Sequence, residues 1–268
     1  MTPVLKPGDH GMTVGTLQQR LTAAGYIVSV TNVYDEATER AVMALQRANA
    51  LVVDGIYGPK SFMALVGSCQ PKHLGAADLQ AAADRLGLQL ATVRAVNEVE
   101  SRGQGFLADG RPAILFERHV FFDRLKKHHV DPAPIALQSP HICAETPGGY
   151  QGGASEYIRL ELAKHVHIQA AYEAASWGAF QIMGYHWEML GYPSVYDFVH
   201  SMQRDEAAQL DAFVRFVEHE PPMLAALKAK KWAAFAKLYN GPAYARNLYD
   251  ARLAVAYAKY AELEEVPA

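Results

Sequence analysis

Two carboxylates stand two positions apart in LQLATVRAVNEVESRG, and helical geometry sorts them. At ~100° per residue, Leu90, Val93, Val96, Asn97 and Glu100 share one side of a helix, while Glu98 faces about 200° away beside Arg94. Glu98 reads as a solvated residue paired with Arg94. Glu100 projects from the apolar side at the last turn, just before Gly103 ends the helix. The carboxyl end of a helix carries partial negative charge, and apolar neighbours desolvate an acid; both disfavour ionisation. An acid that keeps its proton near neutral pH is what cleavage of a glycosidic bond requires. The competing reading is a carboxylate tied to a nearby arginine.

Glycosidases usually employ two carboxylates, spaced by about 5–5.5 Å for retention or about 6.5–9.5 Å for inversion. Glu117 in LFERH is the leading second acid, placed on a strand returning towards Glu100, where it would hold a water or offset oxocarbenium charge. Its alternative is an ion pair with Arg118 or Arg111. Asp109 and Glu145 are weaker choices. Eleven histidines raise the question of a metal, but no HExxH occurs. His165 and His167 point about 200° apart on a helix, and His128 and His129 are adjacent in a basic turn. They read as surface or core histidines, so no metal and no cofactor are expected.

The elements that must position these groups are mostly helices, predicted over residues 77–86, 90–101, 154–175, 178–190, 203–219, 221–229, 231–239 and 242–264. SWGAFQIMG opens one of them, its serine a hydroxyl cap. GQGFLADGRPAILFERHVFF differs: an ADGR turn between apolar alternations predicts a β-hairpin. The Pro- and Gly-rich loop 131–153 is long enough to suggest function, and Tyr150 in it is a candidate substrate contact. The fold class expected is mainly α: an α+β, lysozyme-like layout with a small β-hairpin, preceded by a small three-helix domain.

That domain occupies residues 1–67. Leu17, Leu21 and Ala24 recur at helical spacing before Gly25-Tyr26 stops the helix. Asp35 caps a second helix, and turns at Asp54-Gly55 and Gly58-Pro59 lead into a short third. VGTLQQRLTAAGYIV and AVMALQRANALVVDG echo one another, which predicts two similar helix-turn elements. SCQPKHLG, residues 68–75, is a polar linker, and residues 76–268 form the second domain.

The run V-x-x-LQ-x-x-L-x-x-x-GY, D-x-x-T-x-x-AV-x-x-LQ, L-x-x-DG-x-x-G resembles the PG-binding-1 family of peptidoglycan-binding domains over residues 4–66. That resemblance implies contact with the wall's peptide stems around Asp54, Gly55, Tyr57 and Gly58. VESRG, SWGAFQIMG and LYNGPAYARNLYD, in that order, resemble the lysozyme superfamily of goose-type lysozymes and soluble lytic transglycosylases. ILFERHVF and SWGAFQIMG look like the N-acetylmuramidase domain common in bacteriophage endolysins. The resemblance implies Glu100 as general acid, Ser176, Gly178 and Gln181 lining the substrate groove, and Tyr239 with Asn240 and Gly241 contacting sugar or supporting the acid. It implies a glycoside hydrolase cutting between N-acetylmuramic acid and N-acetylglucosamine. A lytic transglycosylase and a non-catalytic wall-binding protein stay open beside it.

Bulk properties exclude other classes. Net charge is −3, with six basic against five acidic residues up to position 74 and nineteen against twenty-three beyond it, so neither half offers a footprint for nucleic acid. No stretch approaches the ~18 apolar residues of a membrane span. Cys69 and Cys143 form neither a disulfide framework nor a zinc spacing. MTPVLKPGDHG has no charged segment leading into an apolar core, so the expectation is a monomer made in a host cytoplasm without signal peptide and released to the wall through a holin-type lesion.

Overall fold

A computed structural model describes residues 3–67, 72–101, 105–241 and 248–265. The chain divides into two compact units, Met1–Ala81 and Ala82–Ala268.

The first unit packs α1 (Met12–Ala23), α2 (Glu36–Ala48) and α3 (Pro59–Leu65) around Val14, Leu17, Leu21, Tyr34, Val42, Leu45 and Tyr57. Local chemistry sets the helix ends. After α1 the chain turns at Gly25, φ 92°, and Tyr26 N–H donates back to Leu21 O at 3.0 Å. The Asp35 side chain accepts from Thr38 N–H at 2.9 Å and so caps α2. Pro59 opens α3 behind the extended Gly58. The internal echo becomes a shared device. Gln18, buried on α1, accepts from the amides of Thr31 and Asn32 and donates to Val33 O. Gln46, buried on α2, accepts from the amides of Asp54 and Gly55 and donates to Ile56 O. Each glutamine clamps the loop that follows its own helix. Leu74 is buried and Gly75 forms a β-bridge to Leu51, so the end of the 68–75 stretch is held within this unit. The division between the units falls between Ala81 and Ala82, inside α4 (Ala76–Leu86).

The second unit sets α5 (Leu90–Glu100) along α14 (Tyr249–Glu265), and α14 also packs on α13 (Trp232–Asn240). Trp177, Phe116, Phe121, Phe198, Phe235 and Leu160 are fully buried in its core, each contributing about 1.5–3 kcal/mol by leaving water. The ADGR turn closes a tight hairpin: Phe106 bridges Pro112, and Leu107 N–H donates to Arg111 O at 2.7 Å. The chain then enters β1 (Ile114–Phe116), whose sheet partner lies far along the sequence. β1 pairs antiparallel with β2 (Ala175–Trp177), and β2 with β3 (Ile182–Met183).

Several elements differ from those the sequence predicts. RHVFF is the start of α6 (Arg118–Lys127), not a hairpin arm, and α7 (Ala133–Gln138) lies within the expected loop. SWGAFQIM is a β-turn-β unit and its serine caps no helix, because positive φ at Gly178 (74°) and Gln181 (50°) reverses the chain. The predicted helix 154–175 divides into α8 (Glu156–Val166) and α9 (Ile168–Glu173), with extended His167 between them capping α9. α10 (Val195–Arg204) and α11 (Glu206–His219) separate at Asp205, whose carboxylate caps α11. α12 (Pro221–Lys228) precedes α13. Residues 242–247, the start of the predicted last helix, and Gly103 lie outside the described residues. No helix among the described residues is long and apolar enough to cross a membrane.

Candidate active site

Glu100 is the last residue of α5 and only 8% exposed, beside the buried Val96 and Val99. The Asn240 amide, ending α13, donates to Glu100 Oε1 at 3.1 Å. Next to it, Tyr239 donates its hydroxyl to Phe180 O at 2.6 Å and stacks on Phe235 at 5.6 Å. Burial pushes the Tyr239 hydroxyl well above the ordinary phenol range, and Glu100 and Tyr249 push the same way. Tyr239 therefore serves as a neutral donor. Its hydroxyl joins α13 to the β2–β3 turn, which keeps Asn240 over Glu100. Gly241 takes φ 76° directly after α13, and Pro242 lies outside the described residues. The chain thus brings Glu100, Tyr239 and Asn240 together. Glu98, expected on a solvated face, instead accepts from Tyr260 at 2.6 Å and meets Lys259 at 3.5 Å, both on α14.

Ser176 lies on β2, and Gly178 and Gln181 lie in the β2–β3 turn. The Ser176 hydroxyl donates to Gln181 Oε1 at 2.8 Å, and Gln181 Nε2 donates to Gly178 O at 2.8 Å. Gly178 N–H donates to Ala113 O at 2.8 Å, tying the turn to the hairpin that follows Glu100. These contacts brace the turn from within.

Glu117 follows β1 and starts α6; it is off the hairpin proper, where it was expected. Neither arginine is its partner. Tyr150 donates to Glu117 Oε2 at 2.8 Å, and His119 Nδ1 stands 3.3 Å from the same oxygen. Burial and the Glu117 contact raise the Tyr150 hydroxyl above its usual range, so it stays a donor. Arg118 braces the long loop through the carbonyls of Pro140, Thr146 and Pro147, while Arg111 pairs with Asp109 at 2.6 Å. Glu145 is exposed.

Periodicity alone missed several buried polar residues. Glu156 and Arg159 form an ion pair at 2.7 Å, with side chains 0% and 3% exposed. Although burial opposes it, amide donors from Gly152, Gln151 and Phe116, with Arg159, hold the Glu156 carboxyl below the usual range. Arg159 also donates to Phe116 O and His141 O, joining β1 to the loop that carries Tyr150. Glu206 and Gln209, both buried on α11, bind Gly105 and Ala179. Glu173 accepts from Trp187 Nε1 at 3.1 Å and lies 2.9 Å from His128. A glutamate three residues from an arginine was the one available signal for the first pair, and it resembles any solvated ion pair.

In the first unit, Asp54 accepts from Gln46 and from Ile56 N–H, and Tyr34 donates to Gly55 O. Gly55 takes φ 69°, and a Cβ there would stand 2.8 Å from Glu39. Gly58 precedes α3 as its extended cap. The Tyr57 ring is buried and lines a cavity of about 580 Å³ with Leu5, Met12, Thr16, Arg20 and Phe62. The predicted DG-x-x-G turn is thus largely occupied by its own bracing, with concave surface on the side of Tyr57.

His167 Nδ1 accepts from Ala170 N–H, and the His128 and His167 rings stack at 4.5 Å. Among the described residues no group of three or more His, Cys, Asp and Glu could hold a metal ion. Cys143 is buried, with a thiol pushed up to about 11 by desolvation. Cys69 lies outside the described residues.

The profile of the putative peptidoglycan binding domain matches residues 10–65. Over 65 residues the chain is 43% identical to N-acetylmuramoyl-L-alanine amidase CwlL of Bacillus licheniformis and 40% identical to a probable N-acetylmuramoyl-L-alanine amidase of the same organism. Each match takes in 23% of this chain and only 18% of the relative's length. The crystal structure of the Burkholderia AP3 phage endolysin is similar at 52% identity and a TM-score of 0.92, over 97% of this chain and 100% of that one. The N-acetylmuramidase profile matches residues 89–261, well over half of the sequence, and the chain belongs to that family.

Proposed function

We propose that the chain is a glycoside hydrolase of bacterial peptidoglycan, an N-acetylmuramidase of the endolysin type in which Glu100 is the general acid. Glu100 gives its proton to the oxygen bridging C1 of N-acetylmuramic acid and C4 of N-acetylglucosamine. The C1–O bond breaks with its electron pair on that oxygen, and water adds to C1, its surplus proton leaving to solvent, from which Glu100 regains a proton. The observation that carries this reading is a glutamate 8% exposed at the carboxyl end of α5, under the Asn240 amide, in an N-acetylmuramidase-family chain. Burial and the helix end favour the neutral, proton-bearing acid. Asn240 and Tyr239 support that acid, and Ser176, Gly178 and Gln181 shape the groove wall. Glu117, held by Tyr150, orients the water or offsets charge at C1. The first unit, with residues 1–67 as its wall-binding part, takes peptide stems from the side of Tyr57, and the second unit cleaves. The protein acts as a monomer, without cofactor, on a wall reached from the cytoplasm through a holin-type lesion.

Digestion of purified wall followed by mass spectrometry tests the reaction. Reducing muramic ends are expected; anhydromuramoyl ends alone, one water lighter, would replace hydrolysis with transglycosylation. Glu100→Gln is expected to lose about 10²-fold or more in rate. A fully active variant would reject Glu100 as the acid.

A further inference from the structure

We propose that Gln209 is a positioning residue for Glu100, holding the acid's amide partner in place through the β2–β3 turn; this rests on the reading of Glu100 as general acid. Gln209 lies on α11 and is 1% exposed. Its Oε1 accepts from Ala179 N–H at 2.7 Å, and its Nε2 donates to Gly105 O at 3.2 Å and to Met202 O at 2.9 Å. One carboxamide therefore ties together the β2–β3 turn, the hairpin base and α10.

One route from that carboxamide runs through the β2–β3 turn and α13 to the Glu100 carboxylate. Along it, Ala179 precedes Phe180, whose carbonyl receives the Tyr239 hydroxyl, and Tyr239 precedes Asn240, which donates to Glu100. Gly105 stands five residues after Glu100. The backbone is built to admit the side chain. A Cβ on Gly178 would stand 2.5 Å from Gln209 Cδ, and one on Gly105 would stand 2.1 Å from its Oε1. Glu206, one turn earlier on α11, reinforces the hairpin end by accepting from Gly105 N–H at 2.8 Å. A buried carboxamide with all three bonds made is directional, whereas an apolar side chain of equal size would leave the two segments free to slide.

The full-length protein tests this with Gln209→Glu and Gln209→Met, assayed on purified peptidoglycan well below each variant's melting midpoint. The first keeps the acceptor for Ala179 but presents oxygen to two carbonyls; the second removes all three bonds. With folding retained, kcat is expected to fall about tenfold or more, since a displacement of roughly 1 Å can cost ~10²-fold. KM should change little, and the pH–rate profile should move in the direction given by Asn240→Ala. The Gln209→Met/Asn240→Ala double variant should fall little below the weaker single variant, because both act on one contact. Unchanged kcat in both folded variants would overturn the proposal, as would losses that add with a wild-type pH profile. Failure of both variants to melt cooperatively would make Gln209 a requirement of the fold alone and equally overturn it. Glu100→Gln run alongside separates the two claims: if that variant keeps full rate, the acid assignment has failed rather than the positioning.

Discussion

The two units bury polar side chains over very different ranges. In the first, Gln18 reaches partners 13 to 20 residues away and Gln46 partners 8 to 15 away. In the second, the Glu156–Phe116 bond spans 40 residues, Gln209–Gly105 104 and Asn240–Glu100 140. The first unit is thus clamped by helices to their own following loops, and its architecture is set within short segments. The acid site of the second exists only once distant segments have met. A locally clamped unit can be read along the chain, whereas the surroundings of Glu100 must be assembled.

Substitutions in each unit test this contrast, and the largest effect expected is catalytic. Glu100→Gln should lose about 10²-fold or more in peptidoglycan cleavage while both units melt as in the wild type. A parallel loss of melting temperature would mean that Glu100 serves the fold.

Arg159→Met leaves Glu156 buried without its ion-pair partner, and removal of one partner of such a pair costs about 3–5 kcal/mol. Calorimetry should register that loss in the second unit. A destabilisation below about 1 kcal/mol would mean that the amides around Glu156 suffice without Arg159.

Acid should act on the second unit earlier than on the first. Burial, then the Arg124 charge, lowers His186 from 6.5 to about 4, and burial with His128 lowers His167. The unfolded chain binds those protons more tightly, so the second unit loses stability as pH falls from 6.5 towards 4, by up to about 3 kcal/mol for His186. Glu156 adds a later loss: its stabilisation is complete above the ordinary carboxylate range and disappears as pH falls through its depressed folded value. Thermal melts of wild type and His186→Phe across that window should diverge; parallel curves would remove His186 from the account.

Gln46→Ala should have the smallest effect, about 1–3 kcal/mol from the freed amides of Asp54 and Gly55, confined to the first unit. Wall pull-down should weaken as that unit loosens, while cleavage of soluble glycan fragments continues. Equal loss of both activities would contradict the separation of roles.

How much could be read in advance follows from the same difference in range. The helices of the first unit, the Asp35 cap and the Asp54-Gly55 turn were legible because caps and glycine turns act over three or four residues. Glu100 on the apolar flank of α5 was legible for the same reason. SWGAFQIM was misread as a helix because its strand character comes from pairing with residues 114–116, a partner that no local period reveals. Glu206 and Gln209 give no sequence signal, since polar residues on a helix pattern as solvent-facing until their neighbours are known.

By itself, then, the sequence determined the first unit's helix ends, the echo between its two helix-turn elements, the order of the motifs and the side of α5 from which Glu100 projects. Each of these is a preference expressed within a few turns of chain. Only the tertiary structure decided that Asn240 covers Glu100, that Tyr150 holds Glu117, and that one carboxamide on α11 spans the hairpin base and the β2–β3 turn. Desolvation is the reason: a buried polar group must find its partner inside the protein, and in this second unit the partners lie on segments far along the chain.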